Sequence, residues 1–404
     1  MQQERAWLRW HELRNLHHGL SSAQDAQIAK VVAVVDALES RGAADDVIAP
    51  LRPRLAQIRP PRPLRFSRLM FMPLDALIVP TPEWRQDAPT FPRAATQPLA
   101  DMVHDAMGAD ARAIDEVIRD RMANDEEIVH SAGCMLWPKA TAILTTVSTP
   151  PQAWGQSHLP PGCFALLARR VAILLGQTER LNTLFTESEI GITHQAEAIV
   201  PVLAVAGIED ATTLAMVAAL LLARLPAAHR LLRQVANSLG LPESLMSAAI
   251  EQALTVLVDR LETRSGVETL VVGSRLDRAG AEVRCILELL NGVCAQRQSD
   301  DWPSRLSAIF RRLEASCRLR FAVALEVEFA AALQTAGGAL EDAARGVRDL
   351  QQQACRVNRG SDYDMMLRQA AAMVTRADLS LIDRVRLVEI LLGPDEALAL
   401  LEAA

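Results

Sequence analysis

Residues 304–335 read SRLSAIFRRLEASCRLRFAVALEVEFAAALQT. Apolar side chains recur along this stretch at the spacing of one helix face, at Leu306, Phe310, Leu313, Cys317 and Phe321. At 1.5 Å per residue the stretch makes a helix ~48 Å long. The spacing therefore predicts one long amphipathic helix, and its length is typical of a bundle or a stack of helices.

The rest of the chain has the composition of a helical protein. Leu, Ala, Arg and Glu are abundant, and aromatic residues make up only 4% of the chain. No repeat of fixed period runs through it, which disfavours a solenoid. We predict an all-α protein, built as a multi-helix bundle or an irregular helical array. Beyond residue 160, the other predicted helices are 163–186, 189–206, 209–224, 226–239, 243–263, 266–297, 339–357, 362–375 and 379–392.

Proline divides the chain, because it removes a backbone donor and disfavours helix in the residue before it. Eleven of the 21 prolines lie between Pro50 and Pro98, so we expect mostly extended or looped chain from Leu64 to Pro98. Helices are predicted again at 98–107, 110–124 and 126–147. A second proline-rich loop, 149–162, is the predicted boundary between an N-terminal helical domain, 1–150, with the extended Pro/Arg-rich segment 50–98, and a C-terminal all-helical domain, 160–404.

A cluster of basic residues, here called the Arg segment, is the strongest local anomaly: Arg52, Arg54, Arg59, Arg62, Arg65 and Arg68. Guanidinium groups bind carboxylates and phosphates in two-pronged geometry, so a protein partner, a nucleic acid or an anionic membrane are alternative ligands. The acidic stretch 101–127 offers pairing within the fold as a further alternative. An apolar strip, 66–74, adjoins the segment and is expected to lie against a core or at an interface. The predicted partner-binding residues are Arg59, Arg62, Arg65, Phe66, Arg68 and Phe71.

Catalytic signatures are scarce. The chain has no GxxxxGK[ST] or GxGxxG loop, no GxSxG elbow and no HExxH motif. Glu127 and His130 lie three residues apart on a predicted helix face, where both could ligate a metal, but helical di-iron proteins need two such pairs. Asp101 with His104 and His194 with Glu197 have related spacing, and chance alone accounts for about two such pairs. We therefore predict no cofactor and keep Glu127 and His130 only as weak metal candidates.

Charge and composition bound the function. The net charge is −7 with pI near 5.7, which gives no global basic field for nucleic acid. The longest apolar run, 211–223, is too short to span a bilayer. The N-terminal residues do not have the pattern of a signal peptide. The six cysteines show no metal-binding or disulfide spacing. With 40 Arg and two Lys, the chain is typical of a GC-rich bacterium. We predict a cytoplasmic, non-enzymatic scaffold or adaptor that binds a protein partner. The alternatives are a metal-dependent helical enzyme using Glu127 and His130, and a nucleic-acid-binding protein using Arg52 to Arg68.

Overall fold

The fold is known from a computed structural model. It describes residues 63–403 except 124, 187–191, 226–227, 237–241, 263–265, 295–301, 336–337 and 359–361, together with Ala23, Gln27 and Ile28. The chain forms two compact units. We call residues 61–259 with 291–295 the 61–259 unit, and residues 1–60, 260–290 and 296–404 the 260–404 unit. The division predicted from the sequence, at 150–160, is a different one and stays a prediction.

The prediction of an all-α protein is confirmed: eighteen α-helices and one pair of two-residue strands lie in the described residues. Helices that lie in the 61–259 unit are α1 (Phe66–Phe71), α2 (Thr96–Met107), α3 (Ala109–Ile118), α4 (Glu126–Thr146), α5 (Phe164–Gly176), α6 (Thr178–Thr186), α7 (Ile192–Glu209), α8 (Ala211–Arg224) and α9 (Ala228–Ala236). The boundary between the units falls within α10 (Glu243–Glu262) and within α12 (Leu276–Cys294). Helices of the 260–404 unit are α11 (Gly266–Val271), α13 (Trp302–Val323), α14 (Ala330–Thr335), α15 (Gly338–Val357), α16 (Asp362–Arg376), α17 (Leu381–Leu392) and α18 (Pro394–Glu402).

The segment 64–98 differs from its prediction, because helix α1 and a 3-10 helix, Met72–Leu77, replace the expected extended chain at its start. Burial explains the helix: Leu69 and Met70 are fully buried, and α1 packs against α4. Trp137 of α4 donates its indole N–H to the carbonyl of Leu69 at 3.2 Å. Packing on one face thus stabilises a helix that is too short to form alone.

The remainder of this segment is irregular, as predicted. Strands β1 (Ile78–Val79) and β2 (Phe91–Pro92) pair in parallel, with 3-10 helices at Thr81–Glu83 and Arg93–Ala95. Trp84 donates its indole N–H to the carbonyl of Thr90 at 3.2 Å, and Trp154 donates to the carbonyl of Pro160 at 3.4 Å. These tryptophans therefore anchor the proline-rich loops.

Helix α8 lies at the centre of the 61–259 unit. Every residue from Thr213 to Leu222 is buried, so the apolar run 211–223 contributes to an interior helix. Asp210 caps its first turn by accepting a hydrogen bond from the backbone N–H of Thr213 at 2.7 Å. Arg224, in its last turn, donates to the carbonyl of Met72 at 3.2 Å. Helix α8 thus packs against both the 3-10 helix Met72–Leu77 and α7.

In the 260–404 unit the long helical run of 302–335 is interrupted. Helix α13 passes into a π-helix, Ala324–Phe329, before α14 continues the run. Leu306, Leu313, Cys317 and Phe321 are buried as the sequence predicts, and Phe310 is half-buried. Helix α13 packs against α11 and α15, and α15 packs against α17. The π-helix has no counterpart in the apolar spacing, so the sequence pattern predicted the extent of the helical run but not its interruption.

Two other predicted helices are broken, and a second helix besides α1 was missed. The predicted helix 163–186 ends at Gly176 and begins again at Thr178, and the predicted helix 266–297 is divided into α11 and α12. Gly393, at φ +111°, ends α17, and Pro394 then begins α18, a helix that the prediction stopped short of. None of the described helices combines the length and apolar content that crossing a bilayer requires.

Candidate functional site

The Arg segment is only partly within the described residues: Arg52, Arg54, Arg59 and Arg62 lie outside them. Arg65 and Arg68 are half-buried, and Arg68 donates to the carbonyl of Pro63. The chain beside them pairs with the end of the acidic stretch, because the backbone N–H of Leu64 donates to the carbonyl of Arg121 at 2.7 Å. The end of the Arg segment and the end of the acidic stretch are therefore neighbours in the 61–259 unit.

The two aromatic residues of the predicted binding surface are buried. Phe66 is 8% exposed and meets His104 edge to face at 4.9 Å, and Phe71 is 3% exposed and stacks on Phe91. Both side chains therefore contribute to the core of the 61–259 unit. Partner binding by Arg59, Arg62, Arg65, Phe66, Arg68 and Phe71 stays a prediction, but a more open apolar surface lies elsewhere in this unit.

The weak metal candidates do not converge on a third ligand. Glu127 and His130 are both exposed on α4, and the imidazole Nε2 of His130 lies 3.8 Å from Cys134 Sγ. His104 instead pairs with Asp115 at 2.8 Å, while Asp101 accepts a hydrogen bond from Gln97 at 2.7 Å. Within the described ranges, no three His, Cys, Asp or Glu side chains come together as a metal-binding group. The metal-dependent enzyme stays an untested alternative.

An antiparallel arrangement of helices forms an open apolar surface in this unit. Arg169 of α5 lies beside Glu209 at the end of α7, and their side chains pair at 2.6 Å. Further along, Ile173 and Val205 line one cavity, and Leu184 and His194 line the next. Residue numbers rise along α5 and α6 as they fall along α7. The two walls therefore run antiparallel and enclose a groove, which we call the α7 groove.

Two cavities lie along the α7 groove. The first, of about 340 Å³, is lined by Arg180, Thr183 and Leu184 of α6 and by His194, Gln195, Ala198 and Pro201 of α7. The second, of about 310 Å³, is lined by Thr145 of α4, Arg169, Ala172 and Ile173 of α5, and Val205, Ile208 and Glu209 of α7. A cavity of ~150 Å³ already holds a benzene ring. Each cavity is thus large enough for an aromatic or branched aliphatic side chain.

The exposed face of α7 is apolar over more than two turns. Ala198, Pro201, Val205 and Ile208 follow one another at three- and four-residue spacing, and all four are exposed. Val205 is 39% and Ile208 is 84% exposed. An exposed apolar row beside a groove is a typical feature of a protein interaction site. The sequence carried a signal for it, since the apolar residues of 192–209 cover more of the helix circumference than one buried face requires.

Two consecutive arginines fix one end of the groove. Next to the Arg169–Glu209 pair, the guanidinium of Arg170 binds both carboxylate oxygens of Asp210, at 3.3 Å from Nε and 3.2 Å from Nη2. Its Nη1 donates to the carbonyl of Gln86 at 3.0 Å, and Gln86 in turn accepts from the Cys163 thiol at 3.6 Å. Helix α5, the end of α7 and the proline-rich loop are therefore joined by one polar network.

Hydrogen bonds stabilise the ionised form of Asp210. Burial alone would raise the pKa of its carboxyl group, but hydrogen bonds from the backbone N–H of Thr213 and from Arg170 outweigh it and hold the pKa below the ordinary value of 3.8. Asp210 thus remains ionised near neutral pH, as both the cap of α8 and the pair with Arg170 require.

The other end of the groove has a different charge pattern. Arg180 is exposed, and its guanidinium donates to the side-chain oxygen of Gln177 at 3.3 Å. Across the groove, His194 lies 3.8 Å from Glu197. In the described part of the chain, no carboxylate pairs with Arg180. Among the described residues, the α7 groove therefore has the Arg169–Glu209 ion pair at one end and, at the other, an arginine that no carboxylate pairs with.

Comparisons with protein-family models, with curated proteins and with solved structures each found no match.

Proposed function

We propose that this chain is a non-enzymatic helical scaffold or adaptor, and that it binds a protein partner along the α7 groove. One observation carries the proposal: the exposed apolar row Ala198, Pro201, Val205 and Ile208 borders two cavities. Fully burying a Val or Ile side chain contributes about 1.5–3 kcal/mol, so covering this row supplies a favourable free energy of binding.

The form of the groove favours a protein over a small molecule. Small-molecule sites are concave and bury most of their ligand, whereas Ile208, on the α7 wall of the groove, is itself 84% exposed. A partner helix laid along the groove buries such side chains over its whole length. We place the protein in the cytoplasm of a bacterium, because its six cysteines are scattered without disulfide spacing and its 40 Arg and two Lys are typical of a GC-rich coding sequence.

The test is affinity purification of the tagged full-length protein from its native lysate after nuclease treatment. Ile208→Glu places a carboxylate in the apolar row, and we expect at least a tenfold loss of the partner. The matched control is Ile382→Glu on α17, since Ile382 is 79% exposed and lies in the 260–404 unit. This control leaves recovery unchanged.

A third variant distinguishes partner binding at the α7 groove from partner binding at the Arg segment. Arg65→Glu with Arg68→Glu reverses one charge at the N-cap of α1 and one within α1, and leaves α7 intact. Loss of the partner only in this double variant contradicts the proposal and returns binding to the Arg segment. Loss of binding on nuclease treatment alone favours the nucleic-acid alternative.

A further inference from the structure

The two cavities of the α7 groove set a spacing for whatever binds there. Along α7 the first cavity is lined by residues 194–201 and the second by 205–209, so their centres lie about ten residues, or ~15 Å, apart at 1.5 Å per residue. On a partner helix, positions i and i+11 lie on one face about 16.5 Å apart. Apolar anchors with that separation fill both cavities at once.

The charge at the groove ends gives the partner a polarity. Arg169 and Glu209 neutralise each other at one end, at 2.6 Å. Arg180 lines the other cavity and makes its hydrogen bond to an uncharged side chain, that of Gln177. A carboxylate on the partner satisfies this guanidinium with two-pronged geometry.

We propose that the partner segment is an amphipathic α-helix of at least three turns, with apolar anchors at i and i+11 and an acidic side chain that pairs with Arg180. This inference rests on the proposed function and names the kind of partner that the α7 groove takes. A helical partner segment differs from an extended one in its rise per residue, which is 1.5 Å in a helix and ~3.3 Å in a strand.

Photo-cross-linking measures that distance. The photo-reactive amino acid p-benzoylphenylalanine is placed at Ala198 in one full-length protein and at Val205 in another, and mass spectrometry maps the cross-linked residues of the partner. The two positions are seven residues, or ~10.5 Å, apart on α7. We expect both to react with one segment at sites about seven residues apart. Sites about three residues apart indicate an extended segment and overturn the inference.

Charge reversal tests the pairing with Arg180. A fluorescein-labelled synthetic peptide copies the cross-linked segment, and its binding is followed by fluorescence anisotropy. Arg180→Glu weakens the peptide's affinity about tenfold, and exchanging the peptide's acidic residue for arginine restores binding to this variant. Arg119→Glu is the control, because Arg119 is exposed at the C-cap of α3 and pairs with Glu116, and it leaves the affinity unchanged.

The outcomes separate the two proposals. If Ile208→Glu does not reduce partner recovery, the α7 groove is not the binding surface and the proposed function fails there. If Ile208→Glu removes the partner, but Arg180→Glu has no effect or the swapped peptide does not restore binding, the acidic side chain inferred for the partner segment is overturned and the proposed function stands.

Discussion

Arg170 in the 61–259 unit and Arg320 in the 260–404 unit are both buried, but their guanidinium groups are partnered differently. Arg170 is 5% exposed, and its Nε, Nη1 and Nη2 all donate to oxygen atoms. Arg320 is fully buried, and Nη2 donates to Glu328 at 2.9 Å, whereas Nε and Nη1 have no hydrogen-bond partner among the described residues.

The difference shows what a buried charge contributes. Removing a guanidinium from water costs several kcal/mol, and only complete pairing offsets that cost. Arg170 joins a loop, α5 and the cap of α8, so it stabilises one arrangement of distant segments. Arg320 pairs with a residue eight positions further along the same helical run. We infer that Arg170 stabilises the end of the α7 groove, whereas Arg320 contributes little net stability.

Arg170→Met should give the largest effect. The methionine fills similar space but removes the Arg170 donors from the carbonyl of Gln86 and from the Asp210 carboxylate, to which Thr213 still donates, and we expect a loss of about 3 kcal/mol in the free energy of unfolding. Urea denaturation followed by circular dichroism measures it. Arg169→Met is the control, and we expect it to cost less than 1 kcal/mol because the Arg169 side chain is 66% exposed. Equal losses in the two variants would contradict the comparison.

Acid should reduce the difference between wild type and Arg170→Met. Hydrogen bonds hold the pKa of Asp210 below 3.8 in the folded protein. The ionised Asp210 therefore contributes its full share of the free energy of unfolding above pH 3.8, and this share is lost as the pH falls through the pKa of the folded protein. We expect the two unfolding free energies to differ most near pH 6 and to converge below pH 3.8. A difference that stays constant with pH would show that the Arg170 contribution does not depend on the charge of Asp210.

His229 extends the comparison to a buried base within the 61–259 unit. Its Nε2 has no partner among the described residues, and burial, with help from Arg233 and Arg230, lowers the pKa of the imidazole below 6.5. The unfolded chain therefore binds a proton more readily than the folded one, and stability falls as the pH drops below 6.5. His229→Leu should lose less stability than wild type between pH 7.5 and pH 5.5. A larger loss in the variant would reverse the sign of this linkage.

Arg320→Met should give the smallest effect. Replacing a partly paired buried charge by an apolar side chain of similar length is often neutral or stabilising, and Glu328, whose side chain is 37% exposed, can turn to water. We expect a change within about 1 kcal/mol in either direction in the same urea experiment. A loss as large as that of Arg170→Met would show that Arg320 contributes as much net stability as Arg170.

Helices that bury one continuous apolar face were the part of the fold that the sequence predicted well. The stripe from Leu306 to Phe321 and the buried run 213–222 are both local patterns that packing satisfies directly. The break at Gly176, the π-helix at Ala324–Phe329 and helix α1 depend on neighbouring elements. Spacing along the chain does not carry that information.

The candidate site was harder to predict for the same reason. The pair of Arg170 with Asp210 joins residues 40 positions apart, and no local pattern marks it. The Arg segment stood out because it is a cluster in sequence, whereas the groove forms only when α5 and α6 meet α7. Val205 and Ile208 were visible as apolar residues of a helix, but their exposure is a property of the tertiary structure.

The central claim is that a protein partner covers the α7 groove, and hydrogen–deuterium exchange tests it most directly. The full-length protein is compared alone and with the purified protein that co-purifies with it. We predict slower exchange in residues 178–186 and 192–209, with no change in residues 381–402. Unchanged exchange in α7, with slower exchange in residues 63–71 or 381–402, would contradict the claim.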